Sequence, residues 1–236
     1  MRCKQFNKKT SIMTVEWKIS NSLVLYEDAV CFMENRVNGI INGTEKELIW
    51  LLEHPPIYTS GTSANTKDLL NNYNLPVYDS KRGGQYTFHG PGQRVVYIML
   101  DLNKYGRDVR EFVKKLENWI IHVLTSFNLK GFTRSDRIGV WVKGPKTSLG
   151  GIDKSNEYKI AAIGIRLRKW VSFHGISINV NPDLTYYEGI VPCGIKKHGV
   201  TSFNHLGLSA SMKEVDLGLK SSFHEYFSDL GKSPQL

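Results

Sequence analysis

The chain has 236 residues, 41% of them apolar and 22% charged. That is enough to bury a sizeable core in one folded unit, and no apolar run approaches the roughly 18 to 20 residues that cross a bilayer, so no membrane role is expected. The 31 Lys and Arg against 22 Asp and Glu leave a net charge of +9, which attracts acidic partners at long range; the basic residues sit in scattered small clumps rather than beside stacking aromatics, which argues against a nucleic-acid reader.

Residues 1–19 read as an N-terminal tail, basic at Met1 to Lys9 but without the apolar core of a secretory signal. Residues 20–230 read as a single domain. Leu23, Leu25, Tyr26, Ala29, Val30, Met33, Val37, Ile40 and Ile41 recur at near-helical spacing and stop at Asn42-Gly43, which predicts an amphipathic helix over 22–41. Glu47 to Glu53 predicts a strand closed by His54-Pro55-Pro56, since proline forces its predecessor into extended backbone. A loop at Gly61 to Asn65 leads to a short helix near Asp68-Leu69-Leu70, and strands follow at Pro76–Asp79, Gln85–Phe88 and Arg94–Asp101. Residues 108–127 carry a core-facing helical pattern. Gly139–Val142, Lys159–Arg166 and Ser172–Val180 are strand-like, with a polar excursion at 143–158 that reads as a surface hairpin. Ser211-Met212-Lys213-Glu214 has the spacing of a capping box and opens a last helix. Strands in runs with helices beside them indicate an α+β fold with a mixed sheet.

Three segments carry chemistry. Cys193 stands between Pro192 and Gly194, a setting that presents a thiol rather than packing it and makes it a candidate nucleophile. Cys31 lies in the first helical pattern, where a thiol behaves as a small hydrophobe, and Cys3 is in the tail. None of the three has disulfide or zinc-ligand spacing, and a reducing cytoplasm is the expected compartment. The second segment, Arg82 to Gly92, holds four glycines in eleven residues, lacks the Walker and Rossmann spacings, and is either a pair of tight turns or a backbone cradle for a bound group. Lys159 opens the third. It is either a snorkelling edge residue or, if brought to the thiol 34 residues away, a charge that favours the thiolate or an amine that takes a proton.

Taken in order, Arg82-Gly83-Gly84-Gln85-Tyr86-Thr87-Phe88-His89-Gly90-Pro91-Gly92-Gln93, Gly139-Val140-Trp141-Val142, Lys159 to Gly164, His174 to Asn179 and Pro192-Cys193-Gly194 resemble the octanoyl-carrier-protein:protein N-octanoyltransferases of lipoate synthesis. The resemblance covers roughly residues 20–228. It implies a mainly antiparallel sheet with flanking helices, similar to biotin and lipoate protein ligases. It also implies an acyltransferase without cofactor or metal, in which Cys193 takes octanoate from octanoyl-acyl carrier protein. The acyl group then passes to a lysine on lipoyl domains of 2-oxoacid dehydrogenase E2 subunits and the glycine cleavage H protein, the first step of endogenous protein lipoylation. Cys193 matches the family's acyl-accepting thiol and Lys159 its partner lysine. Arg82, Gly83, Gly84, Gln85, Tyr86, Thr87, Phe88 and His89 match the stretch lining the acyl pocket, as do Ala162, Ile163 and Gly164 with Gly175, Ile176 and Ser177. Phe88 departs from the pattern, standing where many members have tyrosine.

Tyr86, Ile163 and Ile176 are candidate walls for an eight-carbon chain. The rival readings are an ATP-dependent lipoate or biotin ligase on the same scaffold, a Cys-His thioester hydrolase using His174 or His198 as base, and a basic nucleic-acid-binding module.

Overall fold

The computed structural model describes residues 15–144, 156–191 and 199–227. In chain order its first elements are β1 (Glu16–Ile19), α1 (Tyr26–Asn42), β2 (Leu48–Leu52), β3 (Ile57–Ser60), β4 (Val77–Asp79), β5 (Thr87–His89) and β6 (Gln93–Met99). They are followed by α2 (Val109–Thr125), β7 (Gly131–Arg134), β8 (Arg137–Lys143), β9 (Glu157–Arg168), β10 (Val171–Asn179), β11 (Gly199–Val200) and α3 (Met212–Phe227).

β2, β6 and β10 are buried along their whole length, which requires both faces of the sheet to be covered. Strand alternation then sorts their side chains. Ile49, Leu51, Val96, Ile98, Ile176 and Ile178 enter a core beneath α2 and α3, while Leu48, Leu52, Val95, Met99 and Phe173 enter a second core beneath α1. The main sheet runs β1-β2-β6-β10-β9-β8-β7, with β11 added to β9. All its pairs are antiparallel except β1 with β2 and β11 with β9. A smaller sheet, β4-β3-β5, stands apart.

The helix ends follow local chemistry. Gly43 closes α1 in the left-handed region at φ 73°, a conformation glycine takes without a Cβ penalty. Asp108 caps α2 by accepting from the amides of Arg110 and Glu111 at 2.8 and 3.1 Å, worth about 1 kcal/mol. The capping box at α3 is complete, with Ser211 Oγ accepting from the Glu214 amide at 3.2 Å and Glu214 Oε2 accepting from the Ser211 amide at 2.8 Å.

Several elements differ from the sequence reading. The chain joins the sheet at Glu16, inside the stretch expected as tail, because β1 pairs in parallel with β2. The first helix starts at Tyr26, leaving Leu23 and Leu25 exposed. Cys31 is exposed on that helix rather than packed. β3 and β7 are short strands that carry no apolar alternation of their own. The excursion expected as a hairpin falls largely outside the described residues. No helix among the described residues is long and apolar enough to cross a membrane.

Candidate active site

Small residues carve a trough into the α1 side of the main sheet. The β9–β10 register sets Ala162 opposite Ser177 and Gly164 opposite Gly175, so the two rungs on either side of the Ile163–Ile176 pair lack bulk. A Cβ on Gly175 would stand 2.1 Å from the Val96 carbonyl oxygen, so that close approach of β6 to β10 is open only to glycine. The loop after β4, together with β5, closes over the trough and leaves a narrow cavity. Arg82, Gly84, Gln85, Tyr86, Thr87 and His89 form the roof; Ala162, Ile163, Gly164, Gly175, Ile176 and Ser177 line the floor.

Two expected pocket residues are not in that lining. Gly83 lies behind the loop, donating its amide to the Ile165 carbonyl at 2.9 Å. Phe88 points the other way along β5 and stacks on Tyr186 at 4.9 Å in a separate aromatic core, so a tyrosine hydroxyl at 88 would not reach the cavity wall. Ile163 and Ile176 offer mainly backbone, since their side chains belong to the core beneath α2. Tyr26, Thr59, Val95, Tyr97 and His174 complete the lining. Of these, only His174 drew attention in the sequence, and then as a hydrolase base.

Arg82 is buried and braces the roof loop. Its Nη2 donates to the Thr59 carbonyl and hydroxyl at 3.0 and 2.9 Å and to the Gln85 carbonyl at 2.9 Å, while Nη1 reaches the Gly83 carbonyl at 2.9 Å. The guanidinium fork thus ties the roof loop to β3. A Cβ on Gly164 would stand 2.7 Å from Arg82 Cδ, so the glycine in the floor makes room for the stem of the arginine in the roof.

Three buried imidazoles cluster at the far end of the trough, His89 and His174 in its lining and His54 packed behind, 5.9 Å from His89 between ring centroids. Burial drives His54 down to about 4 and His89 to about 3, the latter helped by the neighbouring His54. His174 falls to about 3 through burial and then the Arg82 charge. All three are therefore neutral at physiological pH. His54 bonds Tyr97 Oη at 2.7 Å, and His89 Nδ1 donates to Gln93 Oε1 at 2.7 Å. Gln93 in turn donates to Asn179 Oδ1 and Tyr187 Oη, both at 2.9 Å. A neutral wall of this kind tolerates an apolar tail where charged histidines would repel it. His174 sits in left-handed backbone at φ 62°.

Lys159 reaches the other end of the trough through a break in register. Val140 pairs with Ala161 and Trp141 with Lys159, leaving Ile160 as an extra residue in β9. Lys159 and Ala162 are three positions apart, which in a regular strand sends them to opposite faces. The bulge restores them to one face. Ile160 and Ala161 both enter the α2 core, and Lys159, Ala161, Ala162, Thr87, Asn179, Tyr187 and Val200 line a small cleft that shares Thr87 and Ala162 with the main cavity. Lys159 is buried; its Nζ donates to the Ile138 carbonyl at 2.9 Å and lies 4.9 Å from the Trp141 ring centroid. These are partners suited to an ammonium.

Cys193 lies outside the described residues, as does His198. The segment that carries Cys193 is bracketed on both sides. Before it, Val191 donates its amide to the Asp68 carbonyl at 2.8 Å. After it, β11 pairs Gly199 with Tyr158 and Val200 with Lys159, and the Thr201 amide donates to the Lys159 carbonyl at 2.9 Å. The chain thus returns from Cys193 directly alongside the lysine. Among the described residues no group of three or more His, Cys, Asp or Glu is placed to hold a metal ion.

Residues 26–224 match the model of the lipoyl protein ligase A/B catalytic domain. Octanoyltransferases from Bartonella tribocorum and Dinoroseobacter shibae are 55% and 57% identical to this chain, over 94% and 92% of its length and 91% and 98% of theirs. The chain belongs to the octanoyltransferases of this family. The enzyme is thus an acyltransferase, and the ligase, hydrolase and nucleic-acid readings give way. Its fold is that of lipoate protein ligases: the bipartite ligase of Thermoplasma acidophilum superposes with a TM-score of 0.62 at 14% identity, over 90% of this chain and 84% of that one.

Proposed function

We propose that this octanoyltransferase carries the octanoyl group on Cys193, taking it from octanoyl-acyl carrier protein and delivering it to the target lysine of lipoyl domains, and that Lys159 shuttles the proton. The lipoyl domains of 2-oxoacid dehydrogenase E2 subunits and the glycine cleavage H protein are the acceptors, in a reducing cytoplasm where a free thiol persists. The observation that carries the reading is the bulge, which turns Lys159 into the cleft joined to the trough, beside the strand to which the Cys193 segment returns.

The resting site is a Cys193 thiolate paired with the Lys159 ammonium. The thiolate attacks the donor thioester; the new C–S bond forms as the old one breaks, and the departing carrier thiolate takes a proton from Lys159. The acceptor amine then attacks the Cys193 thioester and gives its proton to the now neutral Lys159 as the C–N bond forms. Cys193 leaves as thiolate and the ion pair is restored. Exchange between two thioesters is nearly isoenergetic, which suits a cysteine carrier. The acyl chain lies along the trough, its tail toward His174. The net charge of +9 steers an acidic carrier protein onto the enzyme.

Incubation with octanoyl-acyl carrier protein without ATP, followed by intact mass measurement, is expected to show one octanoyl increment that an apo lipoyl domain discharges. Cys193→Ala is expected to lack the increment, and Lys159→Ala to slow transfer at least a hundredfold while folding normally, on the scale of general acid–base catalysis. An equal increment on Cys193→Ala overturns the assignment.

A further inference from the structure

The Ile138–Gly139 peptide sits between a buried carboxylate and the buried lysine. Its carbonyl accepts from Lys159 Nζ at 2.9 Å, and its N–H donates to Glu117 Oε1 at 3.0 Å. Glu117 projects from the middle of α2 and is itself buried, an expensive place for a carboxylate unless something there needs it. Burial raises its carboxyl above the ordinary range, against which the Gly139 amide and then the Lys159 charge pull it down. The backbone is shaped to allow this contact. Gly139 has φ 122°, and a Cβ on it would stand 2.8 Å from the Ala161 carbonyl oxygen and 3.2 Å from Lys159 Cε, so only glycine leaves the lysine its path.

We propose that Glu117 is a positioning residue for Lys159, acting through the Ile138–Gly139 peptide: the carboxylate fixes the N–H side of that peptide and so aims and polarises the carbonyl that holds the ammonium. Hydrogen bonds in series strengthen one another in a low-dielectric interior. The carboxylate also supplies a negative charge on the α2 side of the lysine. The inference rests on the reading of Lys159 as the proton shuttle. Among the described residues, the other titratable and charged groups from the elements packed against Lys159 are Arg137 of β8, across the Trp141 ring, and Tyr187 from the turn before Val191. Arg137 is paired at 2.5 Å with Glu157 on the lysine's own strand. β10 and β11 bring Asn179 and Val200 to the cleft, and neither titrates. Glu117 is thus the carboxylate that approaches Lys159 through a shared peptide.

The test compares Glu117→Gln, Glu117→Ala and Lys159→Ala in octanoyl transfer across pH, with thermal melting alongside. Gln keeps an oxygen for the Gly139 amide and removes the charge. Its expected result is an unchanged KM for the donor and an alkaline limb of kcat/KM displaced downward by roughly one pH unit, because the ammonium loses its negative neighbour. Glu117→Ala leaves the Gly139 amide unmet and is expected to lose roughly tenfold in kcat. Should the alanine variant fail to fold, the glutamine variant still decides. A wild-type pH profile for Glu117→Gln beside an inactive Lys159→Ala overturns the role of Glu117 and leaves the shuttle standing; a fully active Lys159→Ala overturns both.

Discussion

Gly164 and Gly175 face each other across β9 and β10 for different reasons, and the difference is measurable. Gly175 abuts backbone, the Val96 carbonyl, whereas Gly164 abuts a side chain, Arg82. Gly175→Ala must push two central strands apart, so it is expected to lose stability by about 1 to 3 kcal/mol, read as a lower urea midpoint. Gly164→Ala chiefly moves the stem that ties the roof loop to β3, with a lesser 3.2 Å contact to the Gly83 carbonyl of that loop. It is expected to hold most of its stability yet bind the acyl donor more weakly, seen as a raised KM. Equal losses of stability in both variants would refute the distinction. From the sequence, Arg82 looked like a binding group because it stands in a glycine-rich loop. It lines the cavity and also bonds to carbonyls and a hydroxyl of β3 and its own loop, partners that no local pattern announces.

Among the elements, α2, α3 and the central strands were legible because their periodicity, caps and apolar runs are local signals. The sites of Lys159 and Phe88 were less so. Regular alternation from Lys159 groups it with Ala161 and Ile163, away from Ala162 and Gly164; the extra residue Ile160 reverses that parity, and a bulge leaves no mark in composition beyond Gly139 across from it. Tyr26 and Val95 entered the lining from elements distant in sequence, and nothing in their own segments distinguishes them from core. The same ladder sets the reach of the site. From the Ala162–Ser177 rung to His174, which pairs with Ile165, is three strand steps or about 10 Å, a length commensurate with an extended eight-carbon chain. Tyr97→Trp enlarges the ring that lines the second half of that corridor beside His174, 6.0 Å away between centroids. It is expected to shift the preference from octanoyl toward butanoyl carrier protein by roughly tenfold, the scale of pocket discrimination by a few methylenes. An unchanged ratio of the two transfer rates would mean that the tail lies elsewhere.

Across the whole molecule, the neutral histidine wall ties the stability of the fold to the same end of the site. His54, His89 and His174 have folded values near 4, 3 and 3, below the ordinary imidazole value of 6.5. Between those limits the unfolded chain binds protons that the native chain refuses, so stability is fully present above about pH 6.5 and falls as pH falls. Each imidazole contributes up to about 1.4 kcal/mol per pH unit in that window. Glu157 adds a later phase. Its carboxyl is held at about 2, first by its hydrogen bond from Arg134 and then by Lys143, so its contribution is lost only as pH drops from about 4.5 toward 2. Urea unfolding at pH 7.5, 6.0 and 5.0 is therefore expected to show a midpoint that is highest at 7.5 and declines steeply below 6. His89→Gln, which keeps a polar side chain without a titrating ring, is expected to flatten the slope by about one third. A midpoint independent of pH over this range would show that these rings are hydrated and charged in the native protein, and the wall they form would then be no place for an acyl tail.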